Sequence, residues 1–233
     1  MQSDLARRCV AEMLGTAFLV AVVIGSGIAA QRLSPDDVGL QLLENAAATA
    51  AGLIALILAF GPVSGAHFNP VVTLADRVFG GLSTQDAGAY IVAQVVGGAL
   101  GAVTANVMFS VPAVELSTHH RDGGGVWVAE VVATLGLLLV IFGVVRSGRS
   151  SAAPFAVGAY IGGAYFFTSS TSFANPAVTI ARSLSDTFAG IDPTSVPAFL
   201  AMQLIGGGLA IVTVRFLYPD IAGVADDVVV RHE

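Results

Sequence analysis

Lysine is absent from this chain of 233 residues: its ten basic residues are all arginine, and with 16 acids they leave a net charge of −6. A nucleic-acid footprint needs clustered bases to neutralise phosphate, so DNA and RNA are excluded as partners. Cysteine is nearly absent too. Cys9 alone cannot form an internal disulfide or a multi-cysteine metal cluster, and it reads as a small residue at the start of the first helix. Charge of either sign is scarce at 11%, against about 25% in a soluble domain, while hydrophobic residues make up 55%. So few charges cannot solvate a globular surface. With a mean hydropathy of +0.81 the chain belongs in lipid.

A bilayer core about 30 Å thick needs roughly 20 apolar residues at 1.5 Å each. Six runs suit: Val10–Ala30, Leu40–Phe60, Gln85–Val111, Val126–Val145, Ala152–Thr171 and Ser195–Leu217. The first is a permanent helix and not a removable signal, since it carries Glu12 and continues into Gln31 and Arg32 without a small-residue cleavage site. In a six-span arrangement Arg7, Arg8, Arg77, Arg146, Arg149, Arg215 and Arg231 fall on one side, against Arg32, Arg121 and Arg182 on the other. The positive-inside rule then puts both termini in the cytoplasm of a multi-pass cell-membrane protein, and residues 219–233 form an acidic cytoplasmic tail. The longest loop, Pro112–Gly125, lies outside. Its His119-His120 pair lacks the three or four convergent ligands of a metal site, so no metal is expected.

Two apolar segments, Asn69–Gly80 and Asn175–Gly190, are too short to cross. They belong to an internal repeat. Glu12-x-x-x-Thr16 returns as Glu130-x-x-x-Thr134, Asn69-Pro70-Val71-Val72-Thr73 as Asn175-Pro176-Ala177-Val178-Thr179, and Gln94-x-x-Gly97-Gly98 as Gln203-x-x-Gly206-Gly207. Each half, about 8–111 and 126–217 of one channel domain, holds three spans, so the second copy is inverted in the membrane. Asparagine is a strong N-cap and proline suits the first helical position, so each Asn-Pro starts a helix. About ten residues give roughly 15 Å, half a bilayer. The expected fold is an all-α membrane protein of six transmembrane helices and two re-entrant half-helices meeting at the midplane.

Each half-helix points the positive end of its dipole at the meeting point. A cation there loses hydration against a positive potential, whereas a neutral polar molecule loses only hydrogen bonds. The Asn69 and Asn175 amides and the loop carbonyls can replace those bonds. The chemistry points to a passive pore for small uncharged solutes. A secondary transporter could share broken helices, but neither meeting motif holds an acid for a coupling ion. Ser26 has no histidine on a partner span, which argues against an intramembrane hydrolase, so no enzyme and no cofactor are expected.

Residues Ser64-Gly65-Ala66-His67-Phe68-Asn69-Pro70-Val71, followed by Asn175-Pro176-Ala177, resemble the signature pair of the major intrinsic protein family, the aquaporins and aquaglyceroporins. The similarity runs from Glu12 to Pro219. It implies an aquaporin-like fold, one pore per subunit, a homotetramer, and a pore centre formed by Asn69, Pro70, Val71, Asn175, Pro176 and Ala177. It also implies that Glu12 and Glu130 support the re-entrant loops from behind. Water-selective members carry arginine after the second Asn-Pro-Ala, where this chain has Val178. Counting from the asparagines gives Thr49, Gly163 and Ser172 as the other constriction residues, all small. The expectation is therefore a wide, arginine-free constriction passing polyols, urea or metalloid hydroxides such as arsenite as well as water, as in the similar channels associated with bacterial arsenic resistance. A water-selective pore is the alternative: a one-residue shift of the loop would put Phe173 into the gap. Val71 is expected to make the centre more apolar, and His67 is either a strut of the loop or a proton-sensitive gate.

Overall fold

The computed structural model describes residues 5–219; the acidic tail from Asp220 onward, with Arg231, lies outside the described residues. Eight α-helices follow in order: α1 Leu5–Leu33, α2 Val38–Ser64, α3 Pro70–Phe79, α4 Thr84–Met108, α5 Gly124–Arg146, α6 Ala153–Phe167, α7 Pro176–Arg182 and α8 Val196–Leu217. Side-chain caps start several of them. Asp37 accepts from Leu40 N ahead of α2, and Ser83 from Asp86 N ahead of α4. Asn69 and Asn175 have extended backbones and cap α3 and α7, with proline as the first helical residue each time.

Helices α1, α2, α4, α5 and α8 are long and apolar enough to cross a membrane. Helix α6 is shorter than the expected Ala152–Thr171 and has only 15 residues. Its end is chemical: Thr168, Ser169, Ser170 and Thr171 offer hydroxyls that compete with the helical ladder. Thr168 Oγ1 donates to Ala164 O, Ser170 Oγ accepts from Ser172 N, and Thr171 turns to φ 60°. The outward faces carry exposed Phe18, Val92, Val128, Phe155 and Val212, as a surface in hydrocarbon requires.

The first helix of each half packs against the two helices of that half that are not half-helices, α1 on α2 and α4, α5 on α6 and α8. The half-helices cross over, α7 resting on α4 and α3 on α8. The repeated Gly-Gly pairs make both contacts possible. A Cβ on Gly97 would collide with the Met13 carbonyl of α1, and one on Gly206 would stand 2.6 Å from the Val131 carbonyl of α5. The second glycine of each pair serves the other half: Gly98 lies under Ala177 and Ala181 of α7, and Gly207 under Val71 of α3. Small residues thus let helices approach closely where lipid supplies no hydrophobic drive.

Candidate functional site

Two re-entrant loops dip between the helices. Ala66 and Phe68 in the first, Ser172 and Ala174 in the second, adopt left-handed backbones with φ between 47° and 51°. Non-glycine residues in this region cost on the order of 1–3 kcal/mol each and need neighbours that hold them there. A buried carboxylate does so in each half. Glu12 accepts from His67 N (3.0 Å), Phe68 N (2.7 Å) and Ser64 Oγ (2.6 Å); Glu130 accepts from Phe173 N and Ala174 N (both 2.9 Å). Behind them Gln94 Nε2 donates to Glu12 and Thr73, and Gln203 Nε2 to Glu130 and Thr179. The acids are buried, fully hydrogen-bonded straps.

At the centre each asparagine closes its own helix and grips the opposite loop. Asn69 Oδ1 accepts from Val71 N, and its Nδ2 donates to Ala174 O (2.8 Å). Asn175 Oδ1 accepts from Ala177 N and Val178 N, and its Nδ2 donates to Phe68 O (2.7 Å). An amide has two N–H bonds, so each asparagine keeps one for a passing solute. Both line the central cavity. Val71 and Ala177 do not: they pack backward on Gly207 and Gly98. The expectation that Val71 makes the centre more apolar is corrected, because the helical turn puts Val72 on the cavity wall instead.

The wall is assembled in matched pairs from the two halves. Leu19 and Val23 of α1 answer Leu137 and Ile141 of α5; Thr49, Leu53 and Ile57 of α2 answer Val157, Ile161 and Tyr165 of α6. Gly163 is not on this wall. It stands on the exposed stripe of α6 with Phe155 and Phe166, and open space lies where its Cβ would be. Counting back from Asn175 crosses a loop, and the early end of α6 breaks that count. Tyr165, whose Oη lies 3.1 Å from Thr49 Oγ1, fills the position instead.

An arginine does reach the passage, though not at the position after the second Asn-Pro-Ala. Val178 lines the cavity, but so does Arg182, one helical turn further on. Arg182 is 2% exposed, its Nε donates to Ala189 O, and its guanidinium lies 3.4 Å from the centre of the Phe173 ring. Phe173 itself reaches the wall beside Ser172, as a shifted loop would allow. The cavity has a volume of about 60 Å³. Ser172 Oγ is buried with no hydrogen-bond partner among the described residues. Arg121, on the α4–α5 loop, stands 5.1 Å from the same Phe173 ring, and burial pushes its guanidinium below the usual arginine range.

His67 lines the cavity while Nδ1 lies 3.1 Å from Thr73 Oγ1 and Nε2 3.8 Å from Asp76 Oδ2, contacts that brace the ring. In the α4–α5 loop His120 lies within 4 Å of Asp122 and Asp192. Among the described residues no group of three His, Cys, Asp or Glu is arranged to hold a metal.

A family model described as "Major intrinsic protein" matches residues 1–172. The chain belongs to the major intrinsic protein family. It is 48% identical to aquaglyceroporin AqpS of Rhizobium meliloti (strain 1021) over 214 residues, 92% of this chain and 91% of that one. It is 30% identical to probable aquaporin TIP2-2 of Oryza sativa subsp. japonica, covering 90% of this chain and 86% of the relative. Its fold matches the X-ray structure of the aquaglyceroporin from Plasmodium falciparum with a TM-score of 0.75, at 21% identity, over 94% of this chain and 99% of the other. The protein is therefore a membrane channel for water and small solutes and not an enzyme. Within this family member the sequence reasoning missed Tyr165 and Arg182. A signal for the second was present: Arg182 follows Val178 by four residues, one turn along the same helical face.

Proposed function

We propose that this channel passes small uncharged hydroxylated solutes downhill together with water, polyols or metalloid hydroxides such as arsenite being the chemical class. Thr49, Tyr165 and Ser172 put hydroxyls on the wall of the passage, and Leu53, Ile161 and Val178 put carbon there. A small solute carrying both hydroxyls and C–H bonds matches such a wall. The observation that carries the reading is the buried, unpartnered Ser172 Oγ: an orphan polar atom at a channel wall costs about 1–3 kcal/mol unless a solute or water bonds to it. The relationship to a protein named an aquaglyceroporin supports the same solute class.

Asn69 and Asn175 orient the solute at the centre, with Pro70 and Pro176 starting the half-helices and Val71 and Ala177 anchoring them. Thr49, Tyr165, Ser172, Phe173 and Val178 form the constriction, and Glu12, Glu130 and His67 hold the loops. The chain works as a homotetramer of one-pore subunits in a bacterial inner membrane, both termini cytoplasmic. A second reading, a water-selective pore, is favoured by the pairing of an aromatic ring with an arginine at the end of the passage. Light scattering on proteoliposomes challenged in turn with sucrose, glycerol, urea and arsenite separates the two. Glycerol and arsenite flux well above protein-free vesicles is expected; water flux with neither solute moving selects the water-selective reading, and no flux of any kind rejects both.

A further inference from the structure

Counted from their asparagines, the two half-helix segments correspond position by position. Three residues before stand Ala66 and Ser172, two before stand His67 and Phe173, and three after stand Val72 and Val178, all six on the channel wall. Seven after stand Asp76 and Arg182, 3% and 2% exposed. In each half this ionic group meets the ring two before the asparagine: Asp76 lies beside His67, and Arg182 over Phe173. The repeat thus carries opposite charges at equivalent places near its two mouths. They are not used alike. Asp76 turns its Oδ1 into the space beside Gly81, whereas Arg182 lines the passage itself.

The charge on Arg182 also has no carboxylate in contact with it; Glu130 acts on it only from a distance. Its Nε bonds to Ala189 O, and the neighbouring Arg121 bonds to Gly190 O and Phe188 O. Carbonyls satisfy these N–H groups without cancelling a full charge. Neither guanidinium has a carboxylate within ion-pair distance among the described residues. Two cations share one ring at the mouth beneath the α4–α5 loop, Arg182 buried and Arg121 half-buried.

We propose that Arg182 is the charge filter of this channel, a specificity-determining residue standing one turn outward of Val178 and held by Phe173, with Arg121 reinforcing it. The inference rests on the channel reading. Four residues of helix move the charge about 6 Å toward the mouth, away from the side chain at Val178. A cation is then turned back before it reaches the hydroxyls of Thr49, Tyr165 and Ser172, and those hydroxyls select among neutral solutes without a fixed charge in their midst. Cation exclusion and solute choice become separable, which a single arginine inside the ring would not permit.

The test uses full-length protein in vesicles, reading proton and sodium leak with an internal dye and glycerol flux by light scattering. Arg182→Gln keeps a donor for Ala189 O and removes the charge; cation leak should rise roughly tenfold or more while glycerol flux stays within about twofold. Arg182→Lys should exclude cations as the unaltered channel does. The double variant Val178→Arg with Arg182→Gln should restore exclusion and cut glycerol flux, since the charge returns to the ring. An Arg182→Gln channel that passes glycerol and leaks no more cation than the unaltered one overturns the proposal. So does a lysine variant as leaky as the glutamine one. Should Arg182→Gln fail to assemble, Arg182→Met, likewise long and uncharged, takes its place with the same expected and overturning results. Unaltered vesicles passing neither water nor glycerol would overturn the channel reading itself.

Discussion

The half-helices α3 and α7 begin alike and end differently. Both start with asparagine as cap, proline first, and a threonine whose hydroxyl bonds back to the asparagine carbonyl. Helix α3 then runs ten residues to a left-handed glycine cap at Gly80. Helix α7 stops after seven, where Arg182 bonds to Ala189 O and the chain folds under the α4–α5 loop. There Asn106 Nδ2 donates to Leu184 O, Ser185 Oγ donates to Asn106 Oδ1, and Ser117 N donates to Ser183 O. Local motif fixes where a half-helix starts; tertiary neighbours fix where it stops. The mouth built by the interrupted helix carries the arginine and most of the wall's hydroxyls, and the other mouth is plainer.

Substitutions can break this comparison or sharpen it. The largest effect is expected at the straps. Glu12→Leu strands donors from Ser64, His67, Phe68 and Gln94, and Glu130→Leu strands those from Phe173, Ala174 and Gln203. Each should cost on the order of 4 kcal/mol, with Glu12→Leu worse by about 1 kcal/mol for its extra donor. Thermal unfolding in detergent reads both, and equal losses would show that the hydroxyl of Ser64 adds nothing.

A middle-sized effect separates the mouths. Ser172→Ala should lower glycerol flux about threefold while leaving stability unchanged or slightly raised, because it removes an unpaired buried oxygen. The reciprocal Ala66→Ser places a hydroxyl at the matching point of the other mouth and should change the flux ratio of glycerol to water by less than about 1.5-fold. A larger shift would mean that selection is shared between the mouths.

The smallest effect concerns the loop that stops α7. The Thr118 backbone N–H, with the hydroxyls of Thr118 and Ser117, holds the Asp186 carboxyl below its usual range. A depressed carboxyl stabilises the fold above its unfolded value and loses that contribution as pH falls through the depressed one. Hydrogen exchange at Thr118 N, taken as a ratio to the intrinsic rate at each pH, should therefore be unchanged from neutral pH down to about pH 4 and rise only in stronger acid. Asp186→Asn should remove that rise.

Much of the architecture was legible because the repeat doubles every signal. Asn-Pro marks a capped helix start by chemistry alone, and the paired Glu, Gln and Gly-Gly positions point to shared partners. Residue spacing failed where a loop intervened. The count that gives Gly163 crosses the Thr168–Ala174 segment, whose first four residues bear the hydroxyls that end α6 at Phe167. Helical periodicity would have served better: Val157, Ile161 and Tyr165 keep a strict four-residue step along the wall. Arg182 was masked by its sequence neighbours, since a base after an apolar run reads as a loop charge by the positive-inside rule. Its burial depends on the Phe173 ring and the Ala189 carbonyl, which only folding brings together.

The reciprocal grip of the asparagines bears on biogenesis. A half made by itself would leave one amide N–H and one carbonyl stranded deep in hydrocarbon, each lacking the mate that only its sister supplies. The long helices can enter the bilayer one after another, yet the middle of the protein closes only when the last of them has been threaded. Severing the polypeptide between α4 and α5 should yield fragments that are inert apart and regain transport when co-expressed.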